Sequence, residues 1–194
     1  MFANAGIFFK VTFLEAGLGV LALGVGLAVG RNPLAGIRLH AADVGLGVLA
    51  ALPPLLALAS MRRSRLPAIR RLIESARDMV REFLSPLTWP RVLLIAAAAG
   101  FGEELLFRGL LQPLLTLQFG VAPALIATSV VFGLLHFLSK AYVVFAFVFS
   151  LYLGAVYLVT GNILVPMLAH GIYDAAALWS SAVKGPAAPR LPAE

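Results

Sequence analysis

Charged residues are unevenly distributed along this chain of 194 residues, and their distribution limits what the chain can fold into. Lys, Arg, Asp and Glu make up only 12% of the sequence, whereas 61% is hydrophobic and the mean hydropathy is +0.96. The segment 61–91 holds eight of the 15 basic residues and three of the nine acids. Too few charges remain elsewhere to cover a soluble surface. The sequence therefore predicts an integral membrane protein.

The apolar stretches have the length of membrane-spanning helices, which need about 20 residues each. Backbone polar groups inside a bilayer must be satisfied within the protein, and this favours helices. We expect an all-α, polytopic membrane helical bundle with about six transmembrane helices. Their predicted positions are about 7–29, 42–60, 91–117, 122–138, 141–160 and 163–182.

The arginine-rich segment has its own periodicity. Apolar residues recur every three or four positions from Leu66 through Ile73 to Phe83, and most of the arginines lie off this stripe. The pattern predicts one basic amphipathic helix that lies in the membrane interface and faces anionic lipids along 61–85. Because basic segments stay on the cytoplasmic side, both termini are predicted to be cytoplasmic. The net charge of +6 thus indicates orientation and lipid contact, not nucleic-acid binding.

These features divide the chain into four predicted segments. They are two transmembrane helices over 1–60, the basic amphipathic segment 61–89, a four-helix core over 90–182 and a disordered Pro/Ala-rich tail over 183–194. The chain has no cysteine, so disulfides and thiolate chemistry are excluded. Most of the basic residues are arginine, a bias typical of GC-rich bacterial genomes, and we expect a multi-pass protein of the bacterial inner membrane.

The predicted core carries acidic residues where a charge is costly and indicates function by default. Glu103 lies about 12 residues into its span, near the middle of the membrane. Glu104 and Arg108 are four residues apart on one helix face and can form an ion pair. Glu103 then points about 100° away and has no partner on its own helix. The alternative is a buried charge network that only holds helices together.

Two histidines lie in the same predicted core. His136 shares a helix face with Phe132, and His170 shares a face with Asp174. Either histidine alone is compatible with packing, as a ring bonded to a backbone carbonyl or as an internal His–Asp pair. Burying two carboxylates and two imidazoles within four membrane spans costs more desolvation free energy than a packing role alone would explain. Together they predict a site that handles protons or a metal ion.

The order of these motifs resembles the CPBP family of intramembrane proteases, which includes type II CAAX prenyl proteases and bacteriocin-processing proteins. The resemblance covers about half the chain and implies a glutamate-dependent endopeptidase with its site inside the membrane. Its substrate would be a membrane-associated or lipidated peptide or protein. The matching motifs are Glu103-Glu104-x-x-x-Arg108, Phe132-x-x-x-His136 and His170-x-x-x-Asp174.

The resemblance also implies a role for each motif residue. Glu103 would be the general base that activates water, and His136 would position this water and help to deprotonate it. His170 and Asp174 would stabilise the oxyanion. An aspartate donates a hydrogen bond only when protonated, so Asp174 either acts in that form or orients His170. The remaining motif residues, Glu104, Arg108 and Phe132, would support the site.

No cofactor is expected. A zinc-dependent alternative would use Glu103, His136 and His170 as ligands and leave one coordination position open. The chain contains no HExxH motif, and both glutamates precede both histidines. These features favour a metal-free site.

Two other functions fit the same sequence. A non-enzymatic immunity or scaffold protein would keep the fold and depend on its basic helix more than on Glu103. A proton-coupled transporter would relay protons through the carboxylates and histidines, although the chain is short and shows no inverted repeat. The substrate's identity and the oligomeric state do not follow from the sequence.

Overall fold

The computed structural model describes residues 2–84 and 86–182, which are nearly all helical and contain no strand. This confirms the all-α membrane helical bundle. The predicted tail, 183–194, lies outside the described residues. The helices are α1 (Phe2–Ala28), α2 (Ala41–Arg63), α3 (Pro67–Met79), α4 (Trp89–Glu104), α5 (Gln112–Phe119), α6 (Val121–Leu135), α7 (Lys140–Thr160) and α8 (Leu164–Ala182).

Three described helices are long and apolar enough to cross a membrane by length and composition. They are Gly6–Ala28 in α1, Ala41–Arg63 and Lys140–Thr160, while Val121–Leu135 is apolar but shorter. The number of about six spans therefore stays a prediction. Large apolar side chains on these helices point outward, as lipid-facing residues do; examples are Phe13, Leu27 and Val159.

Short turns with specific caps connect the helices around the site. The side chain of Ser139 accepts a hydrogen bond from the backbone N–H of Tyr142 and so begins α7. Gly161 ends α7 in the left-handed conformation, with φ at 59°. The amide of Asn162 then binds the backbone of Arg38 through two hydrogen bonds, of 3.0 and 2.9 Å. The turn before α8 is thereby fixed to the connection between α1 and α2.

Helix α8 packs between α2 and α4. The backbones of α4 and α8 approach closely because glycines meet there. A Cβ atom added to Gly100 would lie 2.8 Å from the carbonyl oxygen of Met167 and 2.9 Å from the nitrogen of Gly171. This close approach places Glu103 on α4 next to the helix that carries His170.

The basic segment covers the bundle interior. Its first arginines, Arg62 and Arg63, end α2, so the amphipathic helix starts only at Pro67 and is shorter than the predicted segment 61–85. The turn Val80–Leu84, a π-helix, extends it. Its apolar face, with Leu72 buried, is turned toward the other helices. The helix is amphipathic as predicted, and its place in the membrane interface stays a prediction.

Candidate functional site

A cavity of about 450 Å³ lies between the helices, a size that suits a small ligand or a short peptide. Most of its lining is apolar and comes from α1, α2, α3, α4, α7 and α8. The polar side chains of the lining are few. They include the four predicted catalytic residues together with Glu15, Arg62, Tyr142 and Tyr173; the four are Glu103, His136, His170 and Asp174.

Glu103 and His136 face each other in this lining. Their closest atoms, Oε2 and Nε2, are 3.7 Å apart, which is too far for a direct hydrogen bond. A water molecule beside the pair can contact both atoms. The Glu103 side chain is 7% exposed and its Oε2 atom has no hydrogen-bond partner. The sequence predicted no partner for Glu103 on its own helix, and the contact of its Oε2 atom is with His136, which follows α6.

The backbone sets the tautomer of His136. Its Nδ1 atom lies 2.8 Å from the carbonyl oxygen of Phe132, one helical turn earlier. A carbonyl only accepts, so the proton is assigned to Nδ1, and the neutral ring offers a lone pair on Nε2 toward Glu103. The Phe132 ring also stacks on the imidazole, with centroids 4.3 Å apart and planes 18° from parallel. Phe132 thus holds the His136 ring through both its backbone and its side chain.

His170 is fully enclosed and lies between two carboxylates. Its Nδ1 atom is 2.9 Å from Oε1 of Glu104, and its Nε2 atom is 3.4 Å from Oδ2 of Asp174. The sequence predicted the Asp174 contact from the spacing of four residues. It did not predict the Glu104 contact, because that contact joins α4 and α8. Glu104 is therefore a partner of His170 as well as of arginine.

Arg108 is the buried cation of the site. Its Nη1 atom donates to Oε1 of Glu104 at 2.9 Å, so the predicted ion pair is present. Its Nη2 atom donates to the carbonyl oxygen and the hydroxyl of Ser150 on α7, at 2.6 and 2.9 Å. The exposed fractions of the Arg108 and Glu104 side chains are 1% and 0%. A line of contacts therefore runs from His170 on α8 through Glu104 and Arg108 to Ser150 on α7.

The glutamate–arginine motif lies where α4 changes its winding. A π-helix, Leu105–Leu111, follows Glu104 directly and contains Arg108. Wider turns of this kind are frequent at functional sites within helices. This change of winding could not be predicted from the sequence, because apolar residues fill the segment almost continuously.

The three candidate zinc ligands do not converge on one position in this structure. Both ring nitrogens of His170 face carboxylates, Nδ1 toward Glu104 and Nε2 toward Asp174. Across residues 2–84 and 86–182, no group of three His, Asp or Glu side chains is arranged to hold a metal ion. We derive no step through a metal.

One acid of the site was not among the sequence candidates. Glu15 on α1 lines the cavity, and its carboxyl group lies within hydrogen-bonding reach of Glu103. In the sequence it stands out only as an acid that interrupts an apolar stretch. An ionisable residue within a predicted span is itself a functional signal, so the same rule that selected Glu103 would also have selected Glu15.

Fold and site together define a class of protein, a helical membrane bundle with a carboxylate–imidazole pair beside an internal cavity. Residues 85–176 match the family model of the Rce1-like type II CAAX prenyl endopeptidases. This match confirms the resemblance inferred from the motifs over residues 85–176, which make up just under half of the chain. All seven motif residues lie inside the matched range.

A curated relative adds a sequence match over a similar length. The chain is 37% identical over 99 residues to the uncharacterized protein YpbD of Bacillus subtilis (strain 168). The match covers 49% of this chain and 48% of the relative, so it spans about half the length of each. No solved structure matches this chain.

Proposed function

We propose that this protein is an intramembrane endopeptidase that hydrolyses a peptide bond in a membrane-associated or lipidated substrate, with Glu103 as the base. The observation that carries the proposal is the facing pair of Glu103 and His136, 3.7 Å apart beside the cavity. A carboxylate and an imidazole with access to one water molecule are sufficient for general acid–base catalysis. The description of the matched family as prenyl endopeptidases supports the same reaction.

The reaction starts from a water molecule in contact with both groups. Glu103 takes one proton, and the water oxygen forms a bond to the carbonyl carbon of the scissile peptide. The carbonyl electron pair moves onto oxygen and gives a tetrahedral oxyanion. When the carbonyl re-forms, the C–N bond breaks and the proton held by Glu103 passes to the leaving nitrogen, directly or through His136. The products are a carboxylic acid and an amine.

His170 stabilises the oxyanion in this proposal. Its contact with Asp174 is long for a hydrogen bond, and the Asp174 side chain is 26% exposed. Asp174 can therefore turn aside when substrate enters, which leaves the Nε2–H of His170 free to donate to the developing charge. Glu104, held by Arg108, accepts a hydrogen bond from the Nδ1–H of His170 and keeps the ring oriented, so His170 acts in its doubly protonated form. Before substrate enters, Asp174 orients His170.

The cavity supports an apolar or lipid-modified substrate. Side chains such as Leu58, Ile95 and Phe145 line it, and they favour burial of an apolar chain. We place the protein in the bacterial inner membrane with both termini in the cytoplasm. The arginines of 61–85 then lie against anionic lipids on that side.

The test is cleavage by the purified protein in liposomes, with a fluorogenic peptide that ends in a farnesylated CAAX sequence as the probe. Glu103→Gln keeps the size of the side chain and removes the base. We expect the cleavage rate to fall by about 10²–10⁴-fold. Glu74→Gln on α3 is the matched control, because Glu74 does not line the cavity. This variant should cleave the probe at the wild-type rate.

Membrane peptides from cells that express the wild type or Glu103→Gln are compared in parallel by mass spectrometry. A folded Glu103→Gln protein that cleaves the probe at the wild-type rate would contradict the mechanism. If the wild type cleaves neither the probe nor any membrane peptide, the proposed activity is wrong. That result would favour the non-enzymatic immunity or scaffold function, and proton flux in the same liposomes would favour transport.

A further inference from the structure

Glu15 is a polar residue of the cavity that the mechanism above does not use. It lies on α1, outside the segment that matches the family. Its Oε2 atom is buried and has no hydrogen-bond partner, and the same is true of Oε2 of Glu103. The half-buried Glu15 and the buried Glu103 thus line one cavity, each with a buried carboxyl oxygen that has no hydrogen-bond partner.

The helix packing fixes this position. Glycine lets α1 and α4 touch through their backbones: a Cβ atom added to Gly102 would overlap the carbonyl oxygen of Glu15. A Cβ atom added to Gly19, one turn further along α1, would lie 3.4 Å from the Cα atom of Gly102. Because Gly102 precedes Glu103, this contact places Glu15 beside the turn of α4 that carries Glu103.

Among residues 2–84 and 86–182, Glu15 forms no ion pair, and Glu103 faces the neutral ring of His136 at 3.7 Å. The other titratable groups that face Glu15 are His136 on the α6 side and Asp174 on α8. Two adjacent carboxylates cannot both be charged at low cost in such a place, so one proton between them is the favourable state.

We propose that Glu15 is a positioning residue for Glu103, and that the two carboxyl groups share a single proton. Glu15 donates the proton to one oxygen of Glu103, and the other oxygen of Glu103 remains directed at water and His136. The base is then fixed from two helices, α1 and α4. This inference rests on the proposed function only for its consequence in catalysis, since the shared proton is a property of the resting protein.

Infrared spectroscopy of the purified protein in liposomes tests the shared proton without any substrate. We expect a band of a protonated carboxyl group at neutral pH that disappears in Glu15→Gln and also in Glu103→Gln. A shared proton requires both losses, because each group holds the proton only in the presence of the other. A band that persists in Glu103→Gln would overturn the inference. Val20→Ala, an exposed position on α1, is the control and should keep the band.

Cleavage of the farnesylated probe provides the second readout. Glu15→Gln retains a hydrogen-bond donor, and its kcat should stay within about threefold of the wild type, whereas Glu15→Leu should lower kcat by about 10–100-fold with little change in KM. Equal losses in Glu15→Gln and Glu15→Leu would indicate packing alone and contradict the inference. If Glu103→Gln cleaves normally, the proposed function fails, and the infrared result still decides this inference separately.

Discussion

Two glutamate–arginine pairs with the same spacing lie in very different regions of the molecule. Glu104 and Arg108 are 2.9 Å apart with exposed fractions of 0% and 1%, whereas Arg70 and Glu74 on α3 are 3.6 Å apart and 41% and 31% exposed. An exposed pair contributes about 0–1 kcal/mol, because water and salt screen it. A buried pair leaves an uncompensated charge when one partner is removed. The spacing of four residues therefore predicts that an ion pair forms, and the burial of the pair determines how much its loss destabilises the protein.

The same contrast holds for the helices that carry the pairs. Helix α4 turns Glu103 toward the cavity and apolar residues such as Leu93 outward. Helix α3 turns apolar residues such as Ile73 toward the cavity and exposes arginines such as Arg71. The polar chemistry of the site thus comes from helices of the bundle, while the basic helix contributes an apolar cover.

The largest expected effect comes from removing the buried cation. Arg108→Ala should lower the free energy of unfolding by about 3–5 kcal/mol, because Glu104 and Ser150 lose their partner in the bundle interior. Arg70→Ala should change the same quantity by no more than about 0.5 kcal/mol. Unfolding titrations in mixed detergent micelles measure both values. Similar losses in the two variants would show that the contrast between the pairs is wrong.

A smaller effect is expected at the contact between α1 and α4. Gly102→Ala should lower the free energy of unfolding by about 1–3 kcal/mol, since the added methyl group overlaps the backbone of Glu15. Gly17→Ala is the matched control, because nothing lies within 4 Å of a Cβ atom there. A control that loses as much stability as Gly102→Ala would mean that α1 does not pack on α4 as described.

The smallest effect concerns a single arginine of the exposed face. Arg71→Gln should weaken the binding of anionic lipid by about 1 kcal/mol, because one positive charge near the membrane surface is lost. Native mass spectrometry of the protein with phosphatidylglycerol measures the retained lipid, and phosphatidylethanolamine serves as the zwitterionic control. Unchanged retention of phosphatidylglycerol would remove anionic lipid as the partner of this face.

The sequence predicted those parts of the site that depend on positions along one helix. The spacing of four residues was enough for Glu104 with Arg108 and for His170 with Asp174, because side chains at that spacing share a face. The helical membrane bundle followed from hydropathy and the scarcity of charge. Both signals are local, so no tertiary structure was needed to see them.

Contacts between helices could not be predicted in this way. The bond between Glu104 and His170, the bonds from Arg108 to Ser150 and the position of Glu15 all depend on which helices are neighbours. Periodicity likewise identified the apolar face of the basic helix but not that this face turns toward the cavity. The periodicity of one segment shows which residues share a helix face, but it does not show which other helix or cavity that face contacts.

The proposed mechanism requires Glu103 to lie in a water-accessible cavity within the bundle. Because the chain has no cysteine, a single introduced thiol can report on this directly. Glu103→Cys should react quickly with a small hydrophilic methanethiosulfonate reagent in liposomes, since thiols react as thiolates in contact with water. Phe101→Cys, two residues earlier on the outer surface, should react slowly because its side chain faces lipid. Slow modification at position 103 together with fast modification at position 101 would show that Glu103 does not lie in a water-accessible cavity.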